Sequence, residues 1–246
     1  MAQSHLKVAL LRHTADMQEL VALGARLCYS RADVDTLRKR IEEKDQTAFI
    51  QRLMDMGHDS VMEHASFTFA VEGVSRILLA QLTRHRIASF SVQSQRYVSY
   101  AGGFSYIVPP RIQALGEEAV KEYERQMAVM QQWYEDWQEK LGAGEQSNED
   151  ARFVLPGACE TRLIMTMNVR ELNHFFALRM CNRAQWEIRA MAREMHRQCL
   201  AAAPLLFEKS GPGCLCGPCP EGEKTCGKML EIRKEREALL QSIRGQ

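Results

Sequence analysis

The apolar pattern changes period along the chain without settling into regular strand–helix alternation, and this most restricts the fold. His64-Ala-Ser-Phe-Thr-Phe-Ala-Val-Glu72 alternates at period two and is rich in β-forming residues, so it reads as a strand. Further strands are expected at residues 5–12 and 161–167. Helical spacing runs from Met17 toward Cys28, from Arg31 to about Met56 with a stop at Gly57, over 74–84, over 115–141 with Trp133 and Trp137, and over 184–203. Ser89–Tyr100 is polar and β-leaning, the glycines 102–103 and prolines 109–110 mark loops, and Asn168 stands where a helix cap is needed. Elements mixed in this way indicate an α+β domain with a mixed α/β core, not a doubly wound Rossmann sheet.

Thirty-two Lys and Arg against 31 Asp and Glu give a net charge of +1, so no global field draws the chain to nucleic acid or an anionic membrane. Any anion site must be local. No apolar run approaches the ~18 residues of a spanning helix, and the first residues lack the basic and small-residue signals of a secretory leader. A cytoplasmic protein with reduced thiols is therefore expected, its eight cysteines including four scattered ones, Cys28, Cys159, Cys181 and Cys199, that read as small buried hydrophobes. Composition shifts at Gly211, where a Gly/Pro/Cys-rich tail begins, so 1–210 and 211–246 are the expected divisions. In the tail Cys214, Cys216, Cys219 and Cys226 offer four thiols with turn-forming residues between them, a candidate zinc set; free thiols or a labile disulfide are the alternatives.

From Gly73 to Gly116 there is no Asp, Glu or Lys, yet the stretch carries Arg76, Arg84, Arg86, Arg96, Arg111 and His85. Arginines without nearby counterions need anionic partners, and the guanidinium fork suits phosphate or carboxylate. Either a phosphate-bearing ligand supplies the charge, or the fold brings in acids such as Glu63 or Glu187, or the arginines lie on a solvated face. Residues 84–97 crowd hydroxyls, amides and cations together and offer no carboxylate, which suits a phosphate attached to a ring with several carbonyls.

Arg84-His85-Arg86, then Ser94 and Arg96-Tyr97, resembles the signature of the flavin-dependent thymidylate synthases. The resemblance extends to Gly57-His58-Asp59-Ser60 with Glu63-His64, to Ala151-Arg152 with Leu155-Pro156, to Asn168-Val-Arg170, and to Leu178-Arg179 ahead of Ala184-Gln185-Trp186-Glu187-Ile188-Arg189. These blocks fall in order over most of residues 1–208. What the resemblance implies is reductive methylation of dUMP to dTMP, with 5,10-methylenetetrahydrofolate as carbon donor, NADPH as reductant and FAD as redox carrier, in a homotetramer whose active sites are shared between subunits. The lack of a GxGxxG or P-loop agrees with a flavin held outside any Rossmann or Walker unit.

By that resemblance Gln81, Arg84, Val92, Gln93, Ser94, Gln95, Arg96 and Arg152 are the dUMP contacts. Ser60, Arg84, His85, Arg86, Val92, Asn168, Arg170 and His174 are the FAD contacts, and Arg179 is the catalytic arginine that touches dUMP and stabilises the ionised uracil. The chain departs from the family pattern at Ser91-Val92, where relatives have Asn-Glu, and at His174, where relatives carry Asn. His85 is expected to stay neutral because arginines flank it. Ser94 lacks an adjacent base and reads as a binding residue, not a nucleophile. The competing class is a phosphate- or RNA-binding protein gripping its ligand with the arginine-rich segment and the cysteine-rich tail, which the near-neutral charge and sparse aromatics disfavour.

Overall fold

The computed structural model describes residues 1–142 and 144–244. In chain order the elements are β1 (Lys7–His13), α1 (Met17–Leu27), α2 (Val34–Glu42), α3 (Thr47–Asp55), a 3₁₀ turn (Asp59–His64), β2 (Ser66–Ser75) and α4 (Arg76–Leu82). There follow β3 (Ala88–Val92), α5 (Pro110–Gln113), α6 (Glu117–Leu141), α7 (Glu145–Ala151), β4 (Glu160–Asn168), α8 (Val169–Arg179), α9 (Trp186–Ala202), α10 (Pro204–Phe207) and α11 (Met229–Arg244). The strands form one sheet of order β1-β2-β4-β3, confirming the α+β expectation.

Period-two patterning decides the strand faces. In β2 Phe67, Phe69 and Val71 are fully buried, and in β4 Thr161, Leu163, Met165 and Met167 are buried while Arg162 and Ile164 face out. The stretch 31–56 is two helices and not one. Gln46 is buried at the break, and its Nε2 donates to the carbonyls of Ile41 at 3.1 Å and Lys44 at 2.7 Å, satisfying the end of α2. Asp33 caps the start of α2, its Oδ1 accepting from Thr36 N at 2.9 Å. Gly57 ends the run as expected, at φ 71°.

The chain forms two compact units. One comprises Met1–Val8, Ala70–Arg84 and Phe90–Met165. Its core packs Tyr100, Phe104, Tyr106, Val108, Met127, Tyr134 and Cys159 together. The buried 100–104 loop needs partners for its backbone, and the long helix supplies them: Gln131 accepts from Phe104 N at 3.1 Å and donates to Tyr100 O at 2.9 Å, while Tyr134 Oη accepts from Tyr100 N at 3.2 Å.

The other unit comprises Ala9–Phe69, His85–Ser89 and Thr166–Gln246. Phe207 meets Phe67 edge-on at 5.3 Å and Phe176 at 6.0 Å, and His196 packs on Phe176 at 5.1 Å. Residues beyond Gly211 belong to this unit: Cys214 and Ile232 are buried, and Arg233 donates to the carbonyls of Cys214 and Gly217.

Candidate active site

Helix α8 organises the second unit's site. Asn168 caps it, Oδ1 accepting from Glu171 N at 2.8 Å, the role expected from sequence. The cap fixes the first turn so that Asn168, Arg170, Asn173 and His174 all line one cavity of about 770 Å³. Glu63, from the 3₁₀ turn, pairs with Arg170 in its wall. Residues 209–213 and the side chains of Leu215 and Cys216 close another side, so the tail contributes to this cavity. Asn173 Oδ1 is buried there without a hydrogen-bond partner. A buried acceptor left unmet costs about 1–3 kcal/mol, a cost that a donor reaching it from the cavity would offset. A flavin, whose ring system bears an N–H and carbonyls, fits a wall of one orphaned acceptor, an asparagine cap, a histidine and an arginine. Asn173 escaped sequence reasoning because nothing in its neighbours signals which face of α8 is hollow.

Behind this cavity lies a buried relay. His85 Nδ1 is 2.8 Å from Glu171 Oε1, and Arg179 Nε donates to His85 Nε2 at 3.0 Å. Arginine only donates, so Nε2 is the bare nitrogen and the imidazole proton sits on Nδ1, directed to the carboxylate. Burial, first, and the Arg179 charge pull the His85 pKa below its usual value, while Glu171 opposes them. His85 is neutral as expected, but the main cause is burial and not its flanking arginines. It is 4% exposed and absent from the cavity wall, whereas Arg84 and Arg86 on either side are exposed. His85 therefore sets the direction of Arg179.

In the first unit the residues expected at dUMP cluster on the segment after β3. Val92 ends the strand; Gln93 N donates to Arg162 O at 3.0 Å, and Arg76 Nη1 donates to Gln93 O at 3.2 Å. Ser94 Oγ accepts from Arg96 N at 3.1 Å and Tyr97 N at 3.4 Å, closing a tight turn. Gln95 is buried, its Nε2 3.7 Å from Cys159 Sγ. Arg96 is engaged by Glu149 at 2.9 Å and Glu145 at 2.8 Å, acids brought from α7, so the fold supplies its counterions. Arg152 Nε donates to Glu149 O at 3.1 Å, and its unit-mates Gln81 and Arg84 sit at the end of α4 and just beyond it.

The structure does not bring Ser60 to the cavity of Asn168, Arg170 and His174. It lines a different one, with His58 and Val61. Of the tail thiols, Cys214 has its pKa raised by burial, and it lies close enough to Cys219 and Cys226, and to Cys181, for their charges to raise it further, while among the described residues no group of three or more His, Cys, Asp or Glu is placed to hold a metal ion. Cys216 Sγ turns to Lys209 O at 3.5 Å, and Cys226 takes a hydrogen bond from Asn182 Nδ2 at 3.7 Å. Cys159 and Cys199 are buried as expected, and burial pushes the Cys159 thiol up to about 12 and the Cys199 thiol up as well. Cys28 is exposed and Cys181 half-buried, because Cys28 ends α1 at the surface, where its last turn no longer faces the core.

Known proteins agree with this picture. The family model described as thymidylate synthase complementing protein matches residues 9–205. The flavin-dependent thymidylate synthase of Geobacter sulfurreducens is 52% identical over 232 residues, 93% of this chain and 97% of that one. Those of Clostridium tetani and Pyrococcus furiosus are 46% and 37% identical over 93% and 96% of this chain, and over 96% and 99% of their own. Among solved structures, the UMP/dUMP methylase PolB of Streptomyces cacaoi, bound with 5-bromo-dUMP, superimposes with a TM-score of 0.70 at 24% identity, covering 84% of this chain and 95% of that one, and so shares the fold. With the family model over most of the chain and relatives at these identities, the chain is an enzyme that belongs to the flavin-dependent thymidylate synthases.

Proposed function

We propose that the enzyme methylates dUMP to dTMP, taking the carbon from 5,10-methylenetetrahydrofolate and the reducing equivalents from NADPH. FAD, when bound, supplies the hydride transfer that brings the methylene carbon to the methyl level. The observation that carries this reading is the α8 cavity, where Asn168, Arg170 and His174, the expected flavin contacts, stand together around the orphaned Asn173 acceptor.

Each expected residue then has a task. Arg170 and Asn168 hold the flavin, His174 hydrogen-bonds to it, and Arg84 and Arg86, exposed and without ion pair or hydrogen bond among the described residues, are available for the phosphates of FAD or the phosphate of dUMP. Ser60 lies within the 3₁₀ turn and lines the neighbouring cavity, away from these flavin contacts. Arg179, aimed by His85, stabilises negative charge on the uracil ring without exchanging a proton. Arg152 and the Val92–Gln95 turn hold dUMP, with Gln81 at the ring. Arg96, already met by two carboxylates and with its backbone N–H on Ser94 Oγ, holds the turn that presents the dUMP contacts in shape.

A homotetramer is supported by the outer face of α6, where Val129, Trp133, Trp137 and Leu141 recur every fourth residue and are each close to half exposed. That stripe suits a second copy of the chain. No helix among the described residues is long and apolar enough to cross a membrane, which supports a cytoplasmic enzyme with dUMP and folate as its small-molecule partners.

The test is a visible spectrum of the purified protein, repeated anaerobically with NADPH and then with dUMP. Flavin bands that bleach with NADPH and shift with dUMP are expected. A protein that binds no FAD after incubation with it would overturn the reading.

A further inference from the structure

Where the tail folds back on the connection between α8 and α9, both lie in the same unit and bring cysteines from distant parts of the chain together. Arg233 donates to the carbonyls of Cys214 and Gly217 at 2.9 and 2.7 Å, and Gly213 packs against Pro220, where an added Cβ would sit 2.9 Å from the ring Cγ. The segment is thereby bent into a loop that sets Cys214 beside Cys219. The far end of this loop is tied to the α8–α9 connection: Arg183 pairs with Glu221 at 3.7 Å, and Asn182 Nδ2 donates to Cys226 Sγ at 3.7 Å. The connection is itself fixed, with Ala184 N on Cys181 O at 2.9 Å and Arg189 Nη1 on Asn182 O at 2.9 Å. Burial raises the pKa of Cys214, and the charges of Cys219, Cys181 and Cys226, in that order, raise it further. Cys216 points elsewhere, its Sγ on Lys209 O at 3.5 Å.

Ordinary packing accounts for Cys214, since a buried thiol behaves as a small hydrophobe. It does not account for Cys219 and Cys226, half-buried and exposed, or for the donors aimed at sulfur. The Lys228 backbone N–H donates to Cys226 Sγ from two residues on, across Gly227 at φ 74°, and Asn182 supplies a second donor. Both favour the thiolate, as does the nearby Lys228 ammonium, and the thiolate is the form that binds a metal. Thiolates gathered in one place repel each other, and a cation among them removes that cost.

The chain path brings the four thiols near one another, and the directions of their side chains complete or break a ligand set. As the side chains stand, no three among the described residues are placed to hold an ion. Cys219 follows Gly217-Pro218 and Cys226 precedes Gly227, both on turns outside the core. Rotating their sulfurs toward Cys214 and Cys181 about χ1 therefore displaces no buried side chain.

We infer that Cys181, Cys214, Cys219 and Cys226 are the ligands of a structural zinc ion that locks the tail to the α8–α9 connection. Four sulfurs leave no open position, so the site is closed, and soft thiolates select zinc over magnesium or calcium. On binding, the thiol protons still present leave to solvent and no electron moves. Cys181 lies two residues beyond Arg179, so the ion fixes the end of α8 that carries that arginine. Cys214 lies between Gly213 and Leu215 in the wall of the α8 cavity, so the ion holds this wall as well. The inference stands apart from the proposed function, since it uses neither flavin nor dUMP.

The test measures zinc by plasma mass spectrometry in the full-length protein, expressed with zinc supplied and purified without chelator, and in the variants Cys181→Ser, Cys219→Ser, Cys226→Ser and Cys216→Ser. Wild type and Cys216→Ser are expected to hold about one zinc per chain, and the other three at least about tenfold less. A Cys181→Ser variant that keeps its zinc overturns the assignment, as does a Cys216→Ser variant that loses it. Because a variant can lose zinc by failing to fold, the wild type is also loaded with cobalt(II) in place of zinc. Thiolate-to-cobalt charge transfer and the intense d–d bands of a tetrahedral ion are expected; the weak bands of an octahedral, oxygen-bound ion overturn the inference. Wild-type protein that takes up neither metal after reduction overturns it too. If such protein also titrates two thiols short before reduction, the cluster is a disulfide site instead.

Discussion

Removing the carboxylate behind His85 separates a charge that aims Arg179 from one that merely fills space. The Glu171–His85 contact at 2.8 Å is a hydrogen bond to a charged acceptor, worth about 1.5–3 kcal/mol, against about 0.5–1.5 for a neutral one. Glu171→Gln keeps the length and offers an amide oxygen, so the loss is about 1–1.5 kcal/mol. Glu171→Ala leaves the Nδ1–H of a 4%-exposed ring without an acceptor and raises the loss to about 3 kcal/mol or more. With Nδ1 unheld the ring tilts or changes tautomer, and Nε2 no longer receives Arg179. If the guanidinium acts in the transition state, those losses appear in kcat, at about tenfold for glutamine and about a hundredfold for alanine, with the KM for dUMP little changed. The pH profile adds a control. Burial and Arg179 hold the His85 pKa below 6.5 and Glu171 alone pushes it up, so neither variant gains a titration near that pH. Stopped-flow flavin reoxidation and urea unfolding read the two quantities separately. Both variants retaining wild-type kcat while losing stability would make the relay structural only and refute the reasoning.

Other perturbations follow from single geometries. Arg179→Ala is expected to leave FAD bound, seen by absorbance, and abolish dTMP formation; unchanged turnover would remove Arg179 from the chemistry. Arg152→Ala should raise the KM for dUMP steeply at a modest cost in kcat, and an unaffected KM would place it elsewhere. Gly73 has φ 67°, and an added Cβ would sit 1.9 Å from His5 O, so Gly73→Ala should cost roughly 3 kcal/mol or more in denaturant unfolding as it forces the β1 connection away. Burial, with the Phe176 ring packed against it, lowers the His196 pKa to about 4, against 6.5 when unfolded. Between those values the unfolded chain binds the extra proton, so stability is complete above pH 6.5 and falls as pH drops toward 4, by about 3 kcal/mol at 1.36 per unit. His196→Phe should flatten that part of the stability curve; an unchanged slope would mean that His196 is not its source.

What the sequence made legible was local. Period two located β2 and β4 because a half-buried strand imposes it, and Asn168 was readable as a cap because a helix start needs an oxygen at one place. The break in residues 31–56 was hidden because Gln46 looks like any polar residue on a helical run; only its burial against Ile41 and Lys44 carbonyls shows it as a stop. The arginine-rich, acid-free stretch left ligand anions, acids supplied by the fold and a solvated face as its alternatives, and the structure brings acids to one of its arginines. Arg96 meets Glu145 and Glu149, about fifty positions away, while Arg84 and Arg86 meet nothing among the described residues. Counterions at such separations follow from the fold and leave no spacing to read. The same holds for Glu171 behind His85, 86 positions apart in the chain.

The tail shows a use of turn-forming residues that spacing does not reveal. Four thiols in thirteen residues suggested one centre, since zinc needs convergent ligands and the glycines and prolines between them permit tight turns. Convergence is a property of side-chain directions, which spacing does not set. Pro212 carbonyl accepts from Leu215 N at 2.9 Å, and the turn so formed sends Cys216 toward Lys209 and the α8 cavity, while Cys214 is buried and its carbonyl takes the Arg233 guanidinium. The segment's glycines and prolines therefore serve a further end. They let residues 209–216 fold back as a wall opposite Asn168, Arg170 and His174, and so the segment beyond residue 210, set apart by composition, completes the cavity to which the matched family residues belong.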